Sequence, residues 1–581
     1  MRIMAILFLG FVAVTRAAEL IETATTLTLS NQQVSVRFDK RDGTLRSFTH
    51  GGRELLGKGG RGYVQYVTGD KNDRVIWESR VVRREPGLVE IAFTNVNPRF
   101  PFELATHYVL RDGDPGFYNY ILLGHDAVKH PGTFQMAQLD FCLRADPTLF
   151  TIAAVDDQRI MPMPRPEAMR GAPAVMDATY RLPDGSIYSK YFFSAPMDER
   201  HIVHGIMGNG IGLWIAMPSH EHLNGGPEHQ ELTVHQTDTT PVLLRHYVAG
   251  HYGAGGINSS TTWTKVSAPW FVFANTGTNL WADAKRRASQ EVAAWPYPWF
   301  DNSPRADVTG EITAGGRVIL AAHEEPPPPL DWQRQWQGYR YYTWADADGR
   351  FRLRAVRHGL YDLYAWKPGI IGTFVQRGIR VSNNVNLGKL TWSLPRRELL
   401  WQIGVADRSA AEFGFAENFR QWGLWNKIPS EIQFTVGKNR DRDLPFEMAV
   451  TQNADLSWRL PVWQIQFESR GRHVGKAVLT LAFASSGSNL LRRGPTVTVS
   501  LNGEELAQIR DLPHDGAAHR SGVWGLYQAR EIGFDAKKLR EGMNTLTLTL
   551  ERPGRPPSVK LGVPAAAVMF DCLRLELAGG E

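Results

Sequence analysis

The sequence predicts an all-β protein of several β-sandwich domains, and three observations lead to this fold class. Short segments such as TLTLSNQQVSVRF and TLTLTLE alternate apolar and polar residues, the period of strands with one buried face. Gly, Pro, Asp and Asn separate the segments, and helical periodicity is scarce, with Leu280–Trp295 the best candidate. The chain has 581 residues, too many for one hydrophobic core, which stops growing at roughly 250–300 residues.

Composition divides the mature chain into three blocks. Residues 18–302 form a large strand-rich block that ends in the candidate helix. Residues 303–395 contain an Asp-Gly turn followed by alternating strands, which favours a small sandwich similar to a fibronectin type III module. Residues 396–581 contain LTLAFASS and TVTVSLNGEEL, a pattern typical of a jelly roll of the carbohydrate-binding-module type.

The N-terminus predicts an exported protein. Arg2 precedes the apolar run Ile3–Val14, which is too short to span a bilayer comfortably. Thr15 and Ala17 are small residues at the positions that a signal peptidase reads, so residues 1–17 are predicted as a signal peptide. We expect a secreted, extracellular protein (periplasmic if the source is a Gram-negative bacterium) that has no membrane contact after cleavage.

Charge and cysteine content exclude several classes of partner and cofactor. The net charge is +6, but Lys and Arg do not form the stripe that a nucleic-acid binder shows, so no nucleic acid is expected as a partner. A mild positive field suits an anionic polymer. The two cysteines, Cys142 and Cys572, lie in apolar strand-like runs and are interpreted as buried free thiols.

Candidate catalytic residues concentrate between residues 177 and 256. Lys190 lies in IYSKYFF, an alternating aromatic segment that we interpret as a strand; partial burial there would lower the pKa of the lysine. An edge-strand lysine that only discourages aggregation is an equal alternative on the residues alone. The same region holds a dense group of histidines, namely His201, His204, His220, His222, His229, His235, His246 and His251.

Two of these histidines have a spacing that suggests a shared surface. His229 and His235 are six residues apart, so on one unbroken strand they would face the same side and could line a groove. A zinc site is the alternative, but it requires a third ligand that the sequence does not identify. We therefore expect groove lining and no metal in the site.

Four longer segments resemble one enzyme family. They are GLYDLYAWKPGIIGTF at 359–374, LLWQIGVADRSAAEFGFAENFRQWGLW at 399–425, RSGVWGLYQAREIGF at 520–534 and VMFDCLRLEL at 568–577. Together they are similar to the rhamnogalacturonan endolyases of polysaccharide lyase family 4. The resemblance implies three domains: a catalytic supersandwich of the galactose-mutarotase-like type, a fibronectin type III-like domain and a jelly roll like a carbohydrate-binding module.

The resemblance also implies an activity and a set of residues. Such enzymes cleave the rhamnogalacturonan I backbone of pectin internally, by β-elimination between rhamnose and galacturonate. It implies that Lys190 abstracts a proton and that His251, 61 residues later, donates one to the leaving oxygen. Expected substrate contacts are Arg144, Tyr188, His229, His235 and Tyr247. No cofactor is expected for catalysis, a structural calcium in the third domain is allowed, and we expect a monomer.

Two other functions remain open on the sequence. A glycoside hydrolase or sugar epimerase could use a similar sandwich, although a hydrolase needs two carboxylates at the bond. Acids are sparse between Lys190 and His251, where they are Asp198, Glu199, Glu221, Glu228, Glu231 and Asp238. A pectin-binding protein without catalysis is the second alternative.

Overall fold

The computed structural model describes residues 17–69, 74–248, 250–253, 255–325, 330–416, 422–490 and 493–578. Residues 1–16 of the predicted signal peptide and residues 417–421 of the second signature segment lie outside them. Strands dominate the described chain, which confirms the predicted all-β class. Within these ranges no helix is long and apolar enough to cross a membrane.

The first domain is a sandwich of two large sheets. One sheet has the order β1-β2-β3-β4-β6-β11-β22-β21, and the other β13-β12-β18-β19-β25-β10-β9-β8-β7. The strands are β1 Glu19–Glu22, β2 Thr26–Ser30, β3 Val34–Asp39, β4 Leu45–His50, β5 Arg53–Glu54, β6 Arg61–Thr68, β7 Trp77–Glu85, β8 Leu88–Asn95, β9 Glu103–Arg111, β10 Gly116–His125, β11 Phe134–Arg144, β12 Ile152–Asp156, β13 Arg159–Pro162, β14 Ala174–Met176, β15 Thr179–Arg181, β16 Ile187–Ser189, β17 Ser194–Pro196, β18 Val203–Gly208, β19 Ile211–Ala216, β20 Gln230–Leu232, β21 Val234–Gln236, β22 Pro241–Val248, β23 Ile257–Ser259, β24 Trp263–Val266 and β25 Trp270–Thr276.

Alternation on the central strand β11 separates the core from the opposite face of its sheet. Leu139, Phe141 and Leu143 point between the two sheets and join the main core. Asp140, Cys142 and Arg144 take the intervening positions and therefore lie on the other face. This second face of the β6-β11-β22 sheet carries the candidate site.

Helices are few, as the sequence predicts. The α-helices are α1, Pro166–Met169, and α2, Leu280–Ala294. Helix α2 confirms the predicted helix to within one residue. It buries Leu280, Ala284 and Ala288 against the second sheet of the first domain.

The middle domain is a small sandwich with its own core. A three-stranded sheet, β29-β26-β32, packs on a four-stranded sheet, β28-β27-β30-β31, and the apolar side chains between them include Val308, Leu320 and Leu363. The strands are β26 Arg305–Ile312, β27 Arg317–Ala322, β28 Arg340–Trp344, β29 Arg350–Arg357, β30 Gly359–Trp366, β31 Phe374–Val381 and β32 Val385–Leu390.

The third domain is a larger sandwich of a six-stranded and a five-stranded sheet. The orders are β36-β35-β43-β38-β41, with β33 also on β43, and β34-β37-β42-β39-β40. The strands are β33 Arg397–Gly404, β34 Glu431–Thr435, β35 Glu447–Gln452, β36 Trp458–Arg459, β37 Val462–Ser469, β38 Lys476–Ser488, β39 Val497–Leu501, β40 Glu504–Ile509, β41 Gln528–Asp535, β42 Gly542–Leu550 and β43 Ala566–Ala578. Cys142 and Cys572 are both buried and free, as predicted.

Candidate active site

A buried carboxylate and a histidine face each other on neighbouring strands. Asp140 on β11 lies directly opposite His246 on β22. Asp140 Oδ1 contacts His246 Nδ1, and both side chains are at most 1 % exposed. Burial alone would lower the pKa of His246, but the nearby charges of Asp140 and Glu231 raise it overall.

Glu231 links three histidines. Its carboxylate is fully buried, and Oε1 lies 2.7 Å from His251 Nδ1 and 3.8 Å from His246 Nε2. Oε2 lies 3.6 Å from His229 Nε2 and accepts a hydrogen bond from the backbone N–H of His251. The ring contacts are ion-pair contacts without hydrogen-bond geometry. Burial would raise the pKa of Glu231, yet the charges of His251 and His246 hold it well below its usual range.

His251 is the member of this group that reaches the surface. Its side chain is 13 % exposed, whereas those of Glu231 and His246 are closed to solvent. Because Glu231 contacts Nδ1, the other ring nitrogen of His251 is left to face a ligand. This arrangement suits a proton donor or acceptor that is held by a buried carboxylate.

Lys190 lies in the same region but not on a strand. Strand β16 ends at Ser189, and a short 3₁₀ helix, Lys190–Phe193, follows. The predicted strand is wrong here because the Ser189 hydroxyl accepts a hydrogen bond from the N–H of Tyr191, which starts a turn. Lys190 Nζ lies 5.0 Å from the centroid of the Tyr191 ring. Burial lowers the pKa of Lys190, and Asp177 offsets part of that effect.

His229 and His235 both approach the site, but not on one unbroken strand. The segment breaks at Thr233, so that β20 pairs with β17 while β21 pairs with β22. The Thr233 hydroxyl donates to the carbonyl of Phe193, which fixes the break. His235 is half-buried. Its pKa is lowered to about 3, mainly by burial and to a smaller extent by the positive charge of Lys190.

Arg144 lies on the same face as Asp140, further along β11. The two positions are four residues apart, which corresponds to about 13 Å along a strand. The Arg144 guanidinium donates to the Tyr63 hydroxyl at 3.2 Å and approaches the Thr240 hydroxyl at 3.4 Å. It lines an open depression together with Lys58, Arg61, Glu167 and Arg170, a set with four cations and one acid.

Tyr188 and Tyr247, both predicted to bind substrate, do not face this surface. Each side chain is 5 % exposed and belongs to the core of the first domain. The Tyr188 hydroxyl accepts the backbone N–H of Gln236, and the Tyr247 hydroxyl donates to Asn119 at 2.6 Å. Tyr247 follows His246 on one strand and therefore points to the opposite face. Both side chains therefore lie in the core in this structure, away from the surface that carries Lys190 and His251.

One group of side chains has the spacing of a metal site. Ligand atoms of Glu231, His246 and His251 lie within 4.8 Å of one another. Three protein ligands with an open fourth position is the pattern of catalytic zinc. This set differs from the His229–His235 pair considered in the sequence. Among the described residues, no comparable His, Cys, Asp and Glu cluster lies in the third domain, and the predicted calcium there stays a prediction.

Comparison with known proteins matches two family models to the second and third domains. Residues 312–386 match the family model for domain II of polysaccharide lyase family 4, and residues 399–575 match the model for domain III. The chain is 30 % identical over 549 residues to the "Rhamnogalacturonate lyase" of Dickeya dadantii, with 90 % of each chain covered. The chain belongs to polysaccharide lyase family 4. This family 4 lyase is also 24 % identical to "Rhamnogalacturonate lyase B" of Emericella nidulans, with 96 % of each chain covered.

Solved structures resemble parts of the family 4 lyase only weakly. A galactose mutarotase related enzyme from Lactobacillus acidophilus is 7 % identical, with a TM-score of 0.26, and the match covers 44 % of this chain and 99 % of that one. Such a score is too low to bear on the fold. The family models, by contrast, agree with the predicted fibronectin-like and carbohydrate-binding-module-like domains.

Several residues of the site were not singled out from the sequence of this family 4 lyase. They are Asp140, Asp177, Glu231 and Arg520, whereas His246 was named as one of the eight clustered histidines without a role of its own. Asp140 does leave a signal, since a lone acid inside the apolar run LDFCLR requires a buried partner. Glu231 leaves a weaker one, because it stands between His229 and His235. Arg520 leaves none, since it is 269 residues from His251 in the chain.

Proposed function

We propose that this lyase cleaves the rhamnogalacturonan I backbone of pectin internally, by β-elimination between rhamnose and galacturonate. The observation that carries the proposal is the pairing of a partly buried lysine of lowered pKa, Lys190, with a carboxylate-held histidine, His251, on one face of the first domain. The names of the two similar proteins from Dickeya dadantii and Emericella nidulans, both rhamnogalacturonate lyases, support the substrate class.

The reaction requires a base, an acid and cations. In the proposed step, Lys190 Nζ takes the C5 proton of galacturonate, a double bond forms between C4 and C5, and the C4–O4 bond breaks. The electron pair of that bond goes to O4, which receives a proton from His251. A lysine can act as a base near neutral pH only if its pKa is lowered, and burial lowers it here.

Glu231 holds the ring and the backbone of His251, the proposed acid, in place. The buried carboxylate lies 2.7 Å from Nδ1, so the opposite ring nitrogen is the one proposed to deliver the proton that O4 receives. The hydrogen bond from the His251 N–H to Glu231 Oε2 fixes the backbone of the same residue. Glu231 therefore controls the orientation of the donor.

Arg144 and its basic neighbours are proposed to bind galacturonate carboxylates. The planar guanidinium matches a carboxylate with two parallel hydrogen bonds. At about 13 Å along the strand from Asp140, Arg144 suits the carboxylate of a neighbouring galacturonate better than that of the reacting one. The half-buried His235 is proposed to contact the sugar between these points, whereas the His229 side chain is 4 % exposed and faces Glu231.

A hydrolase is disfavoured by the burial of the acids. Glycoside hydrolysis requires two carboxylates that flank the bond, and the side chains of Asp140 and Glu231 are both 0 % exposed. The Asp140 carboxylate also contacts His246, and the Glu231 carboxylate also contacts His251. The more exposed acid beside Lys190, Asp177, pairs with Arg520 at 2.9 Å, and Lys190 and the partly exposed His251 are left to act in an elimination.

Export and a structural calcium remain proposals that rest on the sequence. The run from Arg2 to Ala17 supports cleavage of a signal peptide and secretion. The carbohydrate-binding-module-like class of the third domain is compatible with a calcium ion that stabilises it. We further propose that the enzyme acts as a monomer without a catalytic metal.

A product assay tests the proposal. The protein is incubated with rhamnogalacturonan and, separately, with homogalacturonan, and ultraviolet absorbance is followed at the band of an unsaturated uronate. We expect absorbance to rise with rhamnogalacturonan alone, with early loss of viscosity as the sign of internal cleavage. New reducing ends without that absorbance would instead support a hydrolase, and binding without product would support a non-catalytic protein.

A further inference from the structure

A loop of the third domain packs against the turn that carries His251. The loop, residues 514–527, has the sequence HDGAAHRSGVWGLY and connects to strand β41. The Tyr252 hydroxyl donates to the carbonyl of Arg520 at 2.5 Å, and Gln230 Nε2 approaches the carbonyl of Ser521 at 3.4 Å. The catalytic turn and the distant domain are thus joined by side-chain-to-backbone hydrogen bonds.

The two segments are too close for side chains at the contact points. A Cβ on Gly516 would lie 2.6 Å from the carbonyl oxygen of His251, and one on Gly253 would lie 2.4 Å from Cβ of Asp515. Tyr191 and Tyr252 belong to the same apolar cluster as Ala517 and Ala518 of the third domain. The first and third domains therefore share one continuous packed core at the site.

Arg520 is the charged residue of this contact. Its Nη1 donates to the carbonyl of His251 at 2.5 Å, and its Nη2 lies 2.9 Å from Asp177 Oδ2. Asp177 in turn accepts the hydroxyl of Tyr191 at 2.5 Å. The Tyr191 ring lies 5.0 Å from Lys190 Nζ and 5.2 Å from the Arg520 guanidinium carbon. The Arg520 guanidinium thus contacts the His251 turn directly and, through Asp177, the Tyr191 ring beside Lys190.

From this geometry we propose that Arg520 is a positioning residue of the catalytic centre, so that the third domain completes the active site. The proposal rests on the elimination assigned above to Lys190 and His251. The fork of arginine can donate to the His251 carbonyl and to Asp177 at the same time, which a lysine cannot do in fixed geometry. The carbohydrate-binding-module-like domain is then part of the catalytic unit and not a separable attachment to the polymer.

Arg520 also adds a positive charge beside Lys190. Together with burial, its charge lowers the pKa of Lys190, whereas Asp177 raises it. Replacing Arg520 by alanine removes the cation and leaves Asp177 without this partner. Both changes favour the protonated lysine, so less base is available at a given pH.

The test compares full-length Arg520→Ala and Arg520→Lys with a control, Arg397→Ala. Arg397 is an arginine of the same domain whose partners among the described residues are Glu531 and Glu576. For Arg520→Ala we expect kcat to fall about 10²-fold, because the catalytic groups are displaced, while KM is unchanged. The acidic limb of its kcat–pH profile moves to higher pH. For Arg520→Lys we expect a lower kcat, with little change in the acidic limb of the kcat–pH profile.

A second readout does not depend on the substrate. Competitive acylation of Lys190, followed by mass spectrometry across a pH series, reports the pKa of its amine in each variant. We expect this pKa to rise in Arg520→Ala and to match the wild type in Arg397→Ala. If the wild type releases no unsaturated product, the proposed function has failed, and the acylation result still decides whether Arg520 acts on Lys190.

Three results would overturn the proposal. They are a kcat for Arg520→Ala equal to that of Arg397→Ala, a rise in KM with kcat unchanged, and an acylation pKa of Lys190 that does not move. Should Arg520→Ala fail to fold, Arg520→Lys decides, since full kcat in that variant would show that the fork is not required.

Discussion

At the scale of single residues, the site depends on how burial divides charge among neighbours. Lys190 is partly buried beside Tyr191, and burial lowers the pKa of its amine, whereas Glu231 is fully buried and its pKa is held well below the usual range by the surrounding histidines. The same low-dielectric environment therefore gives a base and an anion within one group of residues. The distinction lies in the partners: Glu231 contacts His251 and His246, while the charges near Lys190 include both Asp177 and Arg520.

Substitution of Lys190 separates a base from an electrostatic anchor. Lys190→Ala is expected to lower kcat by ~10²–10⁴-fold, the usual contribution of a general base. Lys190→Arg is expected to be equally impaired, because arginine keeps the charge but does not lose its proton in a protein. Steady-state kinetics on rhamnogalacturonan measure both. Near-normal turnover of Lys190→Arg would remove Lys190 as the base.

Glu231→Gln tests the orientation of His251. Glutamine has the same shape but no charge, so the His251 ring loses the carboxylate that lies 2.7 Å from Nδ1. We expect kcat to fall roughly 10²-fold with KM little changed. Glu228→Gln is the matched control, since Glu228 lies three residues earlier and pairs with Arg317 of the middle domain at 3.0 Å. Equal activity of the two variants would exclude Glu231 from the proton-transfer step.

At the scale of elements, alternation and turn residues predict most strands, but local hydrogen bonds decide where the strands stop. The helix at Leu280–Ala294 was predictable from its period. The 3₁₀ helix at Lys190 was not, because IYSKYFF alternates like a strand and only the Ser189 hydroxyl, bonded to Tyr191, reveals the turn. The break at Thr233 is similar, since it depends on a contact with Phe193, forty residues away.

Beneath the site, four buried histidines surround the buried Arg245 of β22: His204 lies on β18, His201 just before it, and His220 and His222 in the loop after β19. Arg245 is 1 % exposed, and its Nη2 lies 3.5 Å from both His220 Nδ1 and His222 Nε2. His204 Nε2 donates a hydrogen bond to the carbonyl of Leu244 at 2.9 Å. Burial lowers the pKa of His204 and of His220 to about 3, and it also lowers those of His201 and His222.

This cluster predicts acid lability. The folded histidines have a pKa below the ~6.5 of the unfolded chain, so the unfolded state binds more protons. Their stabilising effect is complete above that value and is lost as the pH falls towards about 3. Each histidine contributes up to ~1.4 kcal/mol per pH unit in that window, and the raised pKa of His246 opposes part of it.

Thermal melting between pH 7.5 and 5 measures how steeply stability falls with pH, and His220→Asn should make this fall less steep. A flat profile would contradict this account.

At the scale of the whole molecule, the order of three domains was predictable, but the contacts that join them at the site were not. Composition and turn signals separate the blocks, and four signature segments indicate the family. The contact of Arg520 with the His251 carbonyl spans two domains, and no local pattern encodes a pairing of that kind. The same holds for Glu231 and His246, which strand topology alone brings to within 3.8 Å.

Removal of divalent metal tests the cation account for the whole enzyme. If Lys190, His251 and the arginines supply the positive charge, EDTA leaves kcat unchanged at a temperature where the protein stays folded. A calcium ion in the third domain would show as a lower melting temperature in EDTA with kcat retained. Loss of kcat that zinc restores would instead make Glu231, His246 and His251 a metal site, since their ligand atoms lie within 4.8 Å of one another.

The most direct test of the central claim is the origin of oxygen in the product. Rhamnogalacturonan is cleaved in water enriched in oxygen-18, and the new ends are analysed by mass spectrometry. Elimination at Lys190 and His251 breaks the C4–O4 bond and transfers protons, but it adds no water. We therefore expect unsaturated uronate ends with no heavy oxygen incorporated during cleavage. Incorporation of one heavy oxygen per cut, with saturated ends, would show that water attacks the bond, and the elimination mechanism would be wrong.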